Sequence, residues 1–136
     1  MPIMEWNDRL AVGIAQVDME HKKLVTMLNE LFDAMQAGKG KEALGPILAG
    51  LVAYTKTHFA NEEKMLKTHN YGDFAAHKAL HDELTKQVLE VEKKFKTGAS
   101  SALSMEVMAF LKNWLIKHIM GTDKQYVPAM QAKGVR

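Results

Sequence analysis

A chain of 136 residues is about one domain's worth, on the usual span of roughly 100–200 residues per domain. Its 47% hydrophobic and 25% charged residues give an ordinary globular composition, which excludes disordered and fibrous classes. The 18 basic and 16 acidic residues leave a formal charge of +2 and are scattered rather than blocked, so neither nucleic acid nor an anionic surface is an expected partner.

The first 17 residues fit no helical pattern, and Trp6, Ile14 and Val17 point to an arm lying against the body of the protein. Glu5, Asp8 and Arg9 stand where a signal peptide would need apolar residues. The longest apolar run, Leu10 to Ala15, falls far short of the roughly 18 residues of a spanning helix. A soluble, cytoplasmic protein with no membrane contact is the expectation.

Helical spacing of apolar residues then predicts a first helix from about Asp18 to Ala37, through Leu24, Val25, Leu28, Leu31, Phe32 and Met35. Asp18 is its expected N-cap, and the Gly38–Gly40 break ends it. A second helix is predicted from about Lys41 to Lys67, with Leu44, Ile47, Leu48, Leu51, Tyr54, Met65 and Leu66 on its apolar side; Pro46 is tolerable near its first turn. The turn Thr68 to Gly72 leads to a third helix from near Asp73, with the stripe Phe74, Leu84, Val88, Val91 and Phe95, stopped by Gly98. The fourth is expected from about Ser101 to Met120, through Leu103, Val107, Phe110, Leu111, Trp114 and Leu115. Gly121 breaks the pattern, and a short helix from about Asp123 follows.

No segment alternates with period two, so the chain reads as all-α. Short connections force consecutive helices to run antiparallel, which predicts an up-down-up-down four-helix bundle. The expected organisation is one domain over residues 1–136: the arm 1–17, the bundle 18–120, and a short C-terminal helix and tail 121–136.

With no cysteine, disulfides, thiolate zinc sites, Cys-ligated clusters and a Cys nucleophile are all excluded, and the six histidines become informative. His21 precedes Val25 by four residues and lies on the apolar face of the first helix. His58 continues the second helix's buried stripe, and Glu62, four residues on, is rotated from it by only about 40°. His77 and His81 sit within the stripe of the third helix, and His118 on that of the fourth. His69 falls in a turn. Asp123, five residues past His118, would lie about 140° away on a continuous helix. Its return toward the core is expected from a helix end and redirection at Gly121.

In an antiparallel bundle these positions share one end. His21 is near the start of helix one, His58 and Glu62 late in helix two, His77 and His81 early in helix three, and His118 late in helix four. Nothing in the periodicity required this. A lone histidine on an apolar face is ordinarily a core residue bonded to a carbonyl. Five of them with a carboxylate at one level cannot all be satisfied by neighbours, and unpaired buried charge costs several kcal/mol. A metal removes the problem, because it binds neutral imidazoles and ionised carboxylates.

Five nitrogens and two carboxylates exceed one tetrahedral zinc and suit two ions of octahedral preference. If both carboxylates and one solvent oxygen bridge, one ion is filled and the other keeps a position open. Imidazole and carboxylate without thiolate fit iron, with manganese second; spacing alone leaves both open. The absence of Glu-x-x-His argues against a ferritin-like carboxylate site.

The set His21, His58-x-x-x-Glu62, His77-x-x-x-His81 and His118-x4-Asp123 resembles the ligand pattern of the hemerythrins over essentially the whole chain, and most of all that of their single-domain bacterial members. The resemblance implies two iron ions per chain with a bridging oxo or hydroxo group. It places His77, His81 and His118 on one iron, His21 and His58 on the other, and Glu62 and Asp123 between them. It implies reversible dioxygen binding at the two-histidine iron, for storage or for delivery to an oxygen-consuming enzyme, by a monomer that is not itself an enzyme. A di-iron peroxidase or nitric oxide reductase, or an oxygen or redox sensor, are the alternatives that use the same ligands.

Phe59, Trp114 and Leu115 lie within a turn of ligands, and the resemblance sets Leu115 near the oxygen pocket; Trp114 and Leu115 equally fit plain core packing. Apolar walls of this kind exclude water and proton donors. Tyr54 and Tyr126, one turn from His58 and Asp123, are the expected hydrogen-bond donors around the ligands, and Met27, Met35 and Met65 read as core filler.

Overall fold

The structure, a computed structural model, describes residues 3–38, 41–97 and 105–136. The break at Gly40, the stop at Gly98 and the expected start of the fourth helix at Ser101, with Leu103, lie outside them, as does the side chain of Val107.

Four long helices form: α1 Ala15–Gln36, α2 Lys41–Thr68, α3 Phe74–Lys96 and α4 Met105–Ile116. The chain leaves α4 through a π-helical turn, Lys117–Thr122, and a 3-10 turn, Asp123–Tyr126, before the short α5, Val127–Ala132. No strand occurs among the described residues. α1 packs on α2 and α4, and α3 packs on the same two, so the four helices close into a ring around one core.

That core is built by the apolar stripes. Leu24, Leu28 and Leu31 of α1, Leu48, Leu51 and Leu66 of α2, Leu84 and Val88 of α3 and Met108, Leu111 and Leu115 of α4 are all buried. Each such side chain contributes about 1.5–3 kcal/mol by leaving water. α1 ends on Ala37, followed by Gly38 at φ 72°, the left-handed conformation in which glycine has no Cβ penalty.

Two expectations change here. Phe110 is not on the buried face: it is 41% exposed, and Met108 and Leu111 take the core positions instead. α1 also begins at Ala15, one turn before Asp18, with Ile14 as its N-cap residue. Asp18 still satisfies backbone donors, but those of the arm. Its carboxylate accepts from Val12 N–H at 2.8 Å and Gly13 N–H at 3.2 Å.

The arm lies along the bundle with Met4, Leu10, Val12 and Ile14 buried, whereas Val17, read with the arm, is buried within α1. Met4 N–H donates to Asn29 Oδ1 at 3.1 Å, and Asn29 Nδ2 donates back to Met4 O at 2.8 Å, a two-point clamp on α1. Lys22 Nζ sits 5.3 Å from the centre of the Trp6 ring. Asp18→Ala leaves two arm N–H groups without their charged acceptor. It is expected to cost about 1–2 kcal/mol in urea unfolding and to speed amide exchange at Val12 and Gly13; unchanged exchange there would contradict this role for Asp18.

Candidate metal centre

The seven singled-out residues converge. His21 comes from the second turn of α1, His58 and Glu62 from late in α2, His77 and His81 from the start of α3, and His118 and Asp123 from the chain beyond α4. All are at most 4% exposed. His69 stays apart in the α2–α3 turn, its ring bonded to Met65 O at 2.8 Å.

Asp123 reaches the cluster by a different device from the one expected. Gly121 does not end the helix, and its φ is not in the left-handed region. The chain instead widens into a π-helical turn, and Asp123 N–H bonds to His118 O. A bond five residues long brings residues five apart one above the other, so His118 and Asp123 face the same way. An α-helical turn would have separated them.

The geometry has two hubs, the carboxylates of Glu62 and Asp123. His21 Nε2 lies 2.7 Å from Asp123 Oδ2, His118 Nε2 2.9 Å from the same oxygen, and His77 Nε2 3.3 Å from Oδ1. His58 Nε2 is 2.9 Å and His81 Nε2 3.4 Å from Glu62 Oε1. Every one of the five imidazoles therefore directs Nε2 at a shared carboxylate. Donor atoms of His21, His58, Glu62, His118 and Asp123 lie within 4.8 Å of one another, and so do those of Glu62, His77, His81 and Asp123. Both carboxylates belong to both groups.

The residues present fit metal ions. Glu62 Oε1, Asp123 Oδ1, His77 Nε2 and His81 Nε2 are buried without a hydrogen-bond partner among the described residues, and all belong to the second donor group or its hubs. Such orphaned buried atoms are costly unless something else satisfies them. Neutral imidazole and carboxylate are the donor types that iron accepts.

A family model, the hemerythrin HHE cation binding domain, matches residues 12–130. The chain belongs to the hemerythrin family. Bacteriohemerythrins from Stenotrophomonas maltophilia and Methylococcus capsulatus are 35% and 34% identical to it, over 97% of this chain in both cases and 84% and 100% of theirs. A myohemerythrin from Theromyzon tessulatum is 30% identical over 90% of this chain and 89% of its own. The crystal structure of a wild-type hemerythrin superposes with a TM-score of 0.85 at 33% identity, covering 94% of this chain and 98% of the other. Hemerythrins bind iron and dioxygen, and are generally oxygen-binding proteins rather than enzymes.

The two donor groups divide the histidines differently from the hemerythrin resemblance, which sets His118 with His77 and His81. Here His118 Nε2 lies 3.0 Å from His58 Nε2, in the group of His21 and His58. It also lies 3.3 Å from Glu62 Oε1, so it stands at the border of the two groups.

Two carboxylates outside the sequence reading orient ligands. His58 Nδ1–H donates to Glu20 Oε1 at 2.6 Å, and His81 Nδ1–H donates to Glu63 Oε2 at 2.9 Å. Each bond turns Nδ1–H toward its carboxylate and Nε2 toward the cluster, the orientation in which Nε2 could serve a metal ion. Glu20 and Glu63 are chain neighbours of His21 and Glu62, and so read as solvated positions beside buried ones. The need of a ligating histidine for a partner on its other nitrogen is the cue that points to them. Glu20 also accepts from Asn61 Nδ2 at 3.1 Å and from Gln16 Nε2. Burial pushes its carboxyl up, but these bonds outweigh that and hold it below the usual range.

Around the cluster, Phe59 stacks on the His81 ring at 4.1 Å and 7°, and lies 4.8 Å from that of His118. Trp114 is buried and donates Nε1–H to Leu84 O at 3.0 Å, which ties it to α3; Leu115 beside it is buried in the core. Tyr126 is wholly buried and donates its hydroxyl to Glu62 Oε2 at 2.6 Å, a ligand on a different helix from the Asp123 that its spacing pointed to. Tyr54 is half-buried against the core.

Burial, then the neighbouring His118 and His58, holds His21 at about 2; burial, then His81, holds His77 at about 4. Burial pushes His58 down as well, but Glu62, Asp123 and Glu20 outweigh it and raise it to about 10. Burial and the charge of Glu62 push Asp123 well up. For protein stripped of iron by a chelator, the signs follow from which state holds more protons. Below about 6.5 the unfolded chain protonates His21 and His77 and the folded chain does not, so stability falls on acidification, with Asp123 offsetting one of the two protons. The His58 contribution is complete below about 6.5 and is lost as pH rises toward 10. Urea midpoints of the stripped protein are thus expected to peak near pH 6.5, and a monotonic rise from pH 5 to 9 would contradict the assignment.

A Cβ at Gly121 would meet only Lys117 Cγ at 3.9 Å, an ordinary contact. Gly121→Ala is therefore expected to change stability by less than about 1 kcal/mol and to leave iron content unchanged by metal analysis.

Proposed function

We propose that the chain binds dioxygen reversibly at a di-iron centre held by His21, His58, Glu62, His77, His81, His118 and Asp123. The observation that carries this is the sharing of Glu62 and Asp123 by two donor groups. Two carboxylates common to two sets of imidazoles suit a pair of ions bridged by both, and leave fewer nitrogens than two filled octahedra require. When bound, such a pair supplies two electrons and an open coordination position, the chemistry that dioxygen needs.

The chain's own residues favour release over cleavage. Phe59, flat against His81, supplies a wall that offers no proton. The Tyr126 hydroxyl is committed to Glu62, and burial with the charge of Glu62 pushes its pKa far up, so it holds its proton. Glu20 and Glu63 hold two of the ligand rings in place through oxygenation and deoxygenation.

On this reading the protein is a monomeric, cytoplasmic, single-domain oxygen store or carrier for oxygen-consuming enzymes. Its exposed large apolar side chains support the monomer: Met19, Leu80, Phe110 and Met120 are spread over α1, α3, α4 and the π-helical turn. No helix among the described residues is long and apolar enough to cross a membrane.

Anaerobic loading with ferrous iron, followed by cycles of oxygen and argon, tests the proposal. Two irons per chain by metal analysis are expected, with a visible absorption that grows under oxygen and vanishes on purging. His77→Ala and Glu62→Ala are expected to lose that absorption. Irreversible oxidation with turnover of an added reductant would overturn carriage and favour a peroxidase or reductase.

A further inference from the structure

The seven ligands differ in what they already hold. Glu62, His77, His81 and Asp123 make up one donor group, and each has an atom buried without a hydrogen-bond partner among the described residues: Oε1, Nε2, Nε2 and Oδ1 respectively. His77 Nε2 stands 3.3 Å from Asp123 Oδ1, and His81 Nε2 3.4 Å from Glu62 Oε1. These atoms face one another with no bond to give up. The His81 ring is also fixed from behind, by Glu63 at Nδ1 and by Phe59 across its face.

The facing nitrogens of the other group are engaged. His21 Nε2 bonds to Asp123 Oδ2 at 2.7 Å, and His58 Nε2 to His118 Nε2 at 3.0 Å. His118 Nε2 lies 2.9 Å from Asp123 Oδ2 as well. His58 Nε2 comes within 2.9 Å of Glu62 Oε1, but that oxygen takes no hydrogen bond from it. A hydrogen bond between two such atoms holds a proton where an ion would need a lone pair. An ion arriving here must break those bonds and displace those protons. On the far side of the His21 and His118 rings, Nδ1 is buried without a partner among the described residues, so a proton shifted there meets no acceptor. An ion arriving in the first group meets none of these costs.

Resting on the di-iron reading above, we propose that the centre fills in a fixed order. The first ferrous ion is held by Glu62, His77, His81 and Asp123. The second completes the centre by breaking the His21–Asp123 and His58–His118 hydrogen bonds, and binds more weakly by about tenfold or more, the worth of one such bond. Dioxygen takes one electron from each of two ferrous ions and returns them on release, so the one-ion chain binds no oxygen. The ferrous concentration that fills the second position therefore sets the threshold at which the protein becomes an oxygen binder.

The test titrates the stripped full-length chain anaerobically with ferrous iron, and strips the loaded chain with a competing chelator, reading both by native mass spectrometry. At one equivalent the one-ion chain is expected to dominate in both directions. A crystal structure of that form, with iron located by anomalous scattering, is expected to place it among Glu62, His77, His81 and Asp123. The oxygen-dependent absorption is expected to appear only during the second equivalent. His21→Ala is expected to keep the first ion with the parent's affinity and to lose the second. A mixture of unloaded and two-ion chains at one equivalent overturns the order, as does an iron peak among His21, His58 and His118. Both of those measurements use the parent chain, so they decide the matter even if His21→Ala does not fold. A parent chain that never reaches two ions at saturation would instead overturn the di-iron reading itself.

Discussion

Two carboxylates lie at the centre of this fold with almost no access to water, each 1% exposed or less. In a core of leucine and phenylalanine an uncompensated carboxylate costs several kcal/mol, so the protein must surround each with groups that can share its charge. Five imidazoles do so, one or more from each wall of the bundle, with nitrogens 2.7 to 3.4 Å from the carboxylate oxygens. That requirement sets the vertical register of the helices. A slide of one turn along any of them would remove a donor from the layer and bury it against hydrocarbon.

The remainder of the molecule serves to hold this layer. Away from it the bundle is filled by aliphatic side chains, which supply the cohesion that the polar layer cannot. Near it, Glu20 and Glu63 hold two imidazole rings by Nδ1, Tyr126 holds Glu62, and Phe59 closes one side. The arm contributes Ile14 to the buried core, and Asp18 fastens the arm where α1 begins. The polar and apolar halves are thus interdependent: the helices are positioned by their stripes, and the stripes leave a gap that polar side chains from several different elements must fill together.

Much of this was legible in the amino-acid sequence because helical periodicity reports which residues face inward. The stripe of α3 runs through Phe74, His77, His81, Leu84 and Val88 without a break, so its histidines had to be inside. Less legible were features that depart from the α-helical repeat or depend on a second chain segment. Asp123 is placed by a π-helical turn that 100° per residue does not foresee, and the glycine beside it proved incidental. Phe110 is an apolar residue that the burial pattern has no room for. Glu20 and Glu63 are ordinary acidic residues until the rings of His58 and His81 are brought against them from neighbouring helices.

The sequence by itself determined the all-helical class, the antiparallel order, and the identity of five histidines and a glutamate as inward-facing at one end. It could do so because these follow from local spacing and short loops. Only the tertiary structure brought the Glu62 and Asp123 carboxylates within reach of both donor groups and set His118 at the border between them. Those facts depend on distances between segments up to about a hundred residues apart in the chain, such as His21 and Asp123. Periodicity fixes direction around one helix axis, whereas the separation of two helices is set by packing all of their side chains at once.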